Sequence, residues 1–154
     1  DHSDMTTQRY PIDHYRDTYF SIVTESYFWA HHGEHYKHIT GINEKTYKAM
    51  LLNPFIVLGG CGTLKHLKKL GFKTFPELFD ESYDEEFDPQ KRLKMVLSEI
   101  DRVMKLDKEE LHKIYWSMED KFVHNRNVIL DIVLNQTPNV YEDLNKILGA
   151  EEIV

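Results

Sequence analysis

The chain has 154 residues, which favours one domain, and 41% of them are hydrophobic, enough for an ordinary core. A formal net charge of -7 argues against broad electrostatic binding to nucleic acid, and no apolar run approaches the ~18 residues of a membrane-spanning helix. The one cysteine, Cys61, excludes a disulfide framework within the chain, so we expect a reducing compartment, the cytoplasm.

The first part of the chain predicts one strand between irregular stretches. Residues 1–17 are polar with scattered aromatic residues and indicate an irregular arm. Residues 18–24 are rich in β-branched and aromatic residues and predict a buried strand, with Glu25 at its end. Residues 26–42 contain two glycines and predict a loop. The loop is rich in histidine: His31, His32, His35 and His38.

The next part predicts the unit that builds parallel α/β sheets. Asn43 is the expected N-cap of a helix over residues 44–52, and the unbroken apolar run 54–58 is typical of a strand buried on both faces. A tight glycine turn then leads into a helix that Thr63 caps and Gly71 ends. A further short strand is predicted over residues 72–75.

Helices alone are predicted in the last part of the chain. Asp88 followed by proline opens one helix, and Asp107 with Glu110 makes a capping-box-like start for another. This second helix is expected to reach about residue 134 with a kink near residues 124–127. A last short helix is predicted over residues 140–148.

These elements predict an α/β fold in a single domain, residues 1–154. A small parallel Rossmann-like sheet occupies residues 18–87, after the irregular arm, and a helical C-terminal part occupies residues 88–154. The chain begins with Asp rather than Met, from which we expect a fragment or a processed product.

The glycine turn is the strongest local signal of a ligand site. Gly59, Gly60 and Gly62 allow a close approach to the backbone, and the helix starting at Thr63 presents its amides and the positive end of its dipole. Open α/β sheets bind ligands at this carboxyl edge of the strands. The turn therefore predicts contact with a phosphate or a sugar hydroxyl, and a plain tight turn is the alternative.

Charged residues near this edge are further candidates. Lys45 can neutralise a diphosphate while Glu44 accepts from paired hydroxyls, or both can be solvated charges at a helix start. The acidic stretch 80–84 can bind sugar hydroxyls or a divalent cation, or be a solvated loop. Glu25 ends a strand, faces the same edge and is a candidate catalytic carboxylate.

The histidines and the cysteine add weaker candidates. His35 is a candidate general base at the cleft. Pairs such as His31 and His35 would share a helix face as zinc ligands, but the order is not His-Glu-x-x-His, and we predict no metal site. Cys61 stands near a helix N-terminus, where thiolates are stabilised, although a small residue tolerated in a tight turn is the simpler interpretation.

Five short segments, in this order, resemble segments of a known family. They are Thr24-Glu25, Asn43 to Lys48, Asn53 to Gly59, Thr63 to Phe75, and Asp80 to Asp84. The chain resembles, over roughly residues 18–104, the carboxyl-terminal part of glycosyltransferase-like proteins of phages, large viruses and bacteria. The Glu-Lys pair is similar to the donor-binding segment of fucosyltransferases of the GT-B architecture. Asn43 and Ala49 stand where the family pattern has Thr and Pro.

The resemblance implies a Rossmann-like domain that binds a nucleoside-diphosphate sugar. Lys45 would contact the diphosphate, Glu44 would hold ribose or sugar hydroxyls, and the turn at residues 59–62 would line a cleft that Glu25 faces. Because a GT-B enzyme closes two such domains, the acceptor-binding domain would lie in a missing partner chain or segment. The protein would act in the cytoplasm, that of the host if it is viral.

Two alternatives stay open at this point. One is a non-catalytic structural or protein-interaction module on the same fold, for example a virus-particle component, in which the aromatic residues and long helices supply an interface. A homo-oligomer is compatible with this interpretation. The other is an unrelated small enzyme or metal-binding domain that uses the histidines.

Overall fold

A computed structural model describes Tyr15, residues 17–28 and residues 41–136 of the chain. The predicted helix over residues 140–148, most of the arm and most of the histidine-rich loop lie outside these residues. None of the described helices is both long and apolar enough to cross a membrane. In chain order the elements are β1 (Ser21–Thr24), α1 (Glu44–Leu52), β2 (Phe55–Leu58), α2 (Thr63–Lys69), a 3-10 helix (Glu81–Glu85), α3 (Pro89–Val103), α4 (Lys108–Ser117) and α5 (Glu119–Gln136).

The sheet is parallel, as the sequence predicts, and has two strands within the described residues. Ser21 of β1 lies opposite Phe55 of β2, and Thr24 lies opposite Leu58. Parallel strands need a crossover connection, and α1 is part of that connection. Asn43 is its N-cap and accepts a hydrogen bond from the Lys45 amide through its side chain. The α/β class with a helical C-terminal part is therefore confirmed.

The core lies where the helices cover the sheet. The helix α1 packs against β1 and α5, and α3 packs against β2, so the apolar run of β2 is buried. Aromatic rings fill the space between: Phe75 lies 5.6 Å from the ring centroids of both Phe55 and Phe122. Each such buried side chain stabilises the fold by about 1.5–3 kcal/mol.

The predicted strand over residues 72–75 is wrong. Phe72 and Phe75 are buried, as strand residues would be, but no strand lies next to them in the described part of the chain. Instead the Asn125 side chain of α5 accepts from the Lys73 amide at 2.8 Å and donates to the Lys73 carbonyl at 3.0 Å. One side-chain amide thus takes the place of a neighbouring strand.

The long C-terminal helix breaks earlier than the sequence predicts. The break is at Met118, between α4 and α5, and not near residues 124–127. Met118 is buried, and the Ser117 hydroxyl donates to the Ile114 carbonyl at 2.7 Å. Such back-bonding competes with the regular helix pattern, and burial of Met118 holds the junction in the core.

The start of α3 follows the prediction, and its C-terminal end carries a partly buried ion pair. Asp88 is the N-cap and Pro89 the first helical residue. Further along, the Glu99 carboxylate accepts from the Asp80 amide at 2.7 Å and from the Arg102 guanidinium at 2.6 Å. Burial opposes the charged form, but these hydrogen bonds outweigh it and hold the pKa of Glu99 below its ordinary value of 4.5.

We expect Glu99→Gln to lower the free energy of unfolding by about 1–2 kcal/mol at pH 7. A carboxyl group with a lowered pKa in the folded state stabilises the fold above its ordinary pKa, and this contribution is lost as the pH falls through the lowered value. The loss should therefore be smaller at pH 3. Urea unfolding at the two pH values measures both losses, and equal losses would contradict the ionic role of Glu99.

Candidate functional site

Two glycines of the turn after β2, Gly59 and Gly62, are needed by the turn itself. Gly62 has φ +82°, a left-handed conformation that favours glycine. A Cβ on Gly59 would lie 2.8 Å from the Thr63 hydroxyl. That hydroxyl donates to the Gly60 carbonyl at 2.7 Å. The N-cap of α2 is therefore Gly62, not Thr63 as the sequence predicts, and Thr63 is the first helical residue.

The amides that open α2 are occupied by the protein's own carboxylate. The Asp84 side chain accepts from the Leu64 amide at 2.8 Å and from the Lys65 amide at 2.9 Å, and its backbone carbonyl accepts from Gly62 at 2.7 Å. Burial raises the pKa of Asp84, and the two amide hydrogen bonds offset part of that rise. A phosphate at this helix start would have to displace Asp84.

A cavity of about 1150 Å³ opens beside the turn, between α2 and the 3-10 helix. Lys68 on its wall is paired with Glu81 at 2.8 Å. Within the described residues, the side chains of Lys65, His66 and Lys69 have no ion pair or hydrogen bond. The cavity is lined by Cys61, Gly62, Lys65, His66, Lys68, Lys69, Glu81, Ser82, Asp84, Glu85 and Phe87.

The structure separates Lys45 from the glycine turn. Lys45 lines a second cavity, of about 520 Å³, which runs along β1, whereas Gly62 lines the first. Glu44 and Lys45 are both exposed at the start of α1. Lys45 and Gly62, which the sequence predicts in one pocket, thus line two different cavities. The position of Glu44 in the first turn of a helix suits compensation of the helix dipole.

Glu25 fixes the connection between β1 and α1. Its side chain is 6% exposed, and one oxygen accepts from the Asn43 amide at 3.1 Å and from the Thr46 hydroxyl at 2.5 Å. Its other oxygen is buried and has no hydrogen-bond partner among the described residues. Glu25 lies at the carboxyl edge of the sheet but lines neither cavity. The other catalytic candidate, His35, lies outside the described residues.

Cys61 does not have the environment of a reactive thiol. Burial raises the pKa of Cys61, and the positive charge of Arg92 offsets only part of that rise. A nucleophilic cysteine needs a lowered pKa, so the interpretation as a small turn residue is the better supported one. Among the described residues there is also no group of three His, Cys, Asp or Glu that could hold a metal ion.

Arg92 is a buried charged residue that the sequence analysis missed. Its guanidinium donates to the Phe28 carbonyl at 2.6 Å and to the Glu86 carbonyl at 2.8 Å, and it lies 4.8 Å from the centre of the Phe28 ring. It thus joins the end of the β1 segment to the start of α3. Its position in the sequence could have indicated its burial. Arg92 and Glu99 alternate with Val96 and Val103 at helical spacing, so all four lie on the buried face of α3.

Comparison with known proteins adds no identification. No family model, no curated protein and no solved structure matches this chain. The likeness to glycosyltransferase-like proteins stays a prediction from the five sequence segments.

Proposed function

We propose that this chain is the nucleotide-sugar-binding domain of a glycosyltransferase-like protein, with the donor in the cavity beside α2. One observation carries the proposal: three basic side chains, Lys65, His66 and Lys69, line a cavity next to the carboxyl end of β2 and have no ion pair or hydrogen bond with any described residue. Carboxylates line the cavity too, but Glu81 is paired with Lys68 and Asp84 accepts from the amides of α2. Lys65 and Lys69 are not paired in this way, and their positive charge favours an anionic ligand. The location agrees with ligand binding in α/β sheets.

The cavity offers groups for each part of such a ligand. Lys65 and Lys69 are four residues apart and so lie on the same side of α2, where their ammonium groups can neutralise a diphosphate. The opposite wall carries the Ser82 hydroxyl and the Glu85 carboxylate, which suit ribose or sugar hydroxyls. The exposed Phe87 ring at the rim suits stacking with a base.

This assignment differs from the one that the resemblance implies. Lys65 and Lys69 replace Lys45 as the diphosphate contacts, because Lys45 lines the other cavity. Under the proposal, sugar transfer needs an acceptor-binding domain in a partner chain or in a further segment. The role of this chain is then to hold the departing nucleoside diphosphate with positive charge. A divalent cation bound to the diphosphate is compatible with this role.

We expect Lys65→Ala with Lys69→Ala to weaken binding of a nucleotide sugar by about 10- to 100-fold, because each charge-assisted contact contributes about 1.5–3 kcal/mol when desolvated and less when exposed. Isothermal titration calorimetry with UDP-glucose, GDP-fucose and pyrophosphate measures this loss. Lys91→Ala, at an exposed site on α3, is the matched control and should leave the affinity unchanged.

Lys45→Ala distinguishes the diphosphate site proposed here, at Lys65 and Lys69, from the one that the resemblance implies, at Lys45. Under this proposal it leaves nucleotide-sugar affinity unchanged, whereas the assignment from the resemblance requires a loss. Absence of binding to every nucleotide sugar, or equal affinity in the Lys65 and Lys69 double variant, would refute the proposal.

A second candidate, the non-catalytic interaction module, is favoured by apolar side chains on the surface of the helical part. Met104 is 68% and Trp116 is 54% exposed, and α4 buries none of its residues fully. Exposed apolar side chains mark a protein interface where they form a contiguous patch. No detectable binding in the nucleotide titrations, together with self-association in sedimentation velocity, would favour this candidate.

A further inference from the structure

The strand β1 has one edge that pairs with no other strand of the described residues, called the free edge below. The amides of Ser21 and Glu25 donate to the carbonyls of Pro54 and Leu58, at 2.9 Å and 3.0 Å. Because hydrogen-bonding direction alternates along a strand, the backbone groups of Ile22 point away from β2, and so do those of Thr24. Within the described residues no strand other than β2 pairs with β1.

The outer edge of β2 differs from the free edge of β1, because the Tyr83 side chain covers it. The Val57 amide points away from β1 and donates to the buried Tyr83 hydroxyl at 3.3 Å. By contrast, Ile22 on β1 is 51% exposed. Natural edge strands usually carry lysine, proline or a bulge that prevents further pairing. Residues 21–24, Ser-Ile-Val-Thr, contain none of these, and their β-branched side chains favour strand pairing.

A basic groove runs along this edge. The 520 Å³ cavity has β1 on one side and Lys45 and Lys48 of α1 on the other. The Lys45 ammonium has no ion pair or hydrogen bond within the described part of the chain. A strand laid in this groove would therefore have its side chains beside positive charge.

We propose that the free edge of β1 binds an extended acidic peptide of a partner protein as a third strand of the sheet. Its backbone pairs with Ile22 and Thr24, as in other cases of strand addition. Its carboxylates lie near Lys45 and Lys48, and its apolar side chains contact the exposed Ile22. A second copy of this chain fits the groove less well, because it would bring its own lysines against these two. The site is separate from the cavity beside α2.

Fluorescence anisotropy with a fluorescein-labelled peptide, Glu-Val-Glu-Ile-Glu-Val-Glu, tests this inference. We expect Ile22→Pro to weaken binding at least tenfold, since it removes an amide that faces the groove and is not bonded to β2. Lys45→Glu should also weaken binding at least tenfold, and acidic residues are well tolerated in a first helical turn. Lys91→Glu, at an exposed position in the first turn of α3, is the matched control and should leave peptide affinity unchanged.

Two altered peptides test the two contacts separately. A peptide with lysine in place of glutamate should lose the charge contact, and a peptide N-methylated on alternate amides should lose the backbone pairing. Circular dichroism checks that each variant is folded, and if Ile22→Pro is not, Lys45→Glu and the N-methylated peptide decide. Equal binding of the N-methylated peptide, or unchanged affinity in Lys45→Glu, overturns the inference. So does self-association of the wild-type chain that Ile22→Pro abolishes, since the occupant is then a second copy.

Discussion

Asp84→Ala is expected to lower the free energy of unfolding by about 2–4 kcal/mol. The substitution leaves the Leu64 and Lys65 amides at the start of α2 without their acceptor, and each lost charge-assisted hydrogen bond contributes about 1.5–3 kcal/mol. Relief from burying a carboxylate offsets part of this loss. The melting temperature should fall by roughly 5–15 °C, measured by calorimetry. Asp101→Ala, at an exposed ion pair, is the matched control and should change stability by less than about 0.5 kcal/mol.

Asp84→Asn gives a second test, with a pH dependence opposite to that of Glu99. Burial raises the pKa of Asp84, so the folded protein binds its proton more readily than the unfolded chain does. The contribution of this group to stability is then greatest below its ordinary pKa of 3.8 and falls as the pH rises through the raised value. The stability of the wild type relative to Asp84→Asn should therefore increase as the pH is lowered from 7 towards 4. A decrease over this range would contradict the buried position of the carboxylate.

The helix starts could be predicted from the sequence because they depend on near neighbours. Asn43, Asp88 and Asp107 each accept a hydrogen bond from an amide two or three residues along the chain. Such spacing is visible in the sequence. The parallel pairing was predictable for a related reason, since the unbroken apolar run of β2 requires cover on both faces.

The arrangement of the site could not be predicted, because it depends on contacts between distant residues. Asp84 caps a helix that begins about twenty residues earlier, and nothing in the acidic stretch distinguishes it from its exposed neighbours. The placement of Lys45 depends on which side of β1 the helix α1 covers. Lys65 and Lys69 have the pattern of solvated helix residues, and only the cavity beside them suggests a ligand.

The helical break shows the same difference between local and distant causes. Periodicity predicts the apolar stripe of α4 and α5 but cannot tell a continuous helix from two helices that meet at a buried Met118. Likewise, the apolar pattern of residues 72–75 correctly predicts that Phe72 and Phe75 are buried, but it wrongly predicts a strand. The contact that holds this segment without a neighbouring strand comes from Asn125, which is about fifty residues away.

Asn125→Asp is expected to lower the free energy of unfolding by about 2–4 kcal/mol at pH 7. The Asn125 side chain is fully buried and holds both backbone groups of Lys73. An aspartate has the same shape but would bury a charge and place a carboxylate oxygen against the Lys73 carbonyl. Urea unfolding measures the loss, and Asn127→Asp, at an exposed position of α5, is the matched control.

Hydrogen exchange then shows whether the loss comes from this contact. The Lys73 amide should be protected in the wild type and should exchange faster in Asn125→Asp, because the segment that it anchors can open more easily. Below the pKa of the new carboxyl group, the protonated side chain can again donate to the Lys73 carbonyl, so part of the stability should return at low pH. A loss that is the same at pH 3 and pH 7, with unchanged exchange at Lys73, would mean that Asn125 does not join α5 to this segment. The link between the two would then rest on other contacts, such as the Lys121 ammonium with the Thr74 carbonyl and the packing of Phe75 against Phe122.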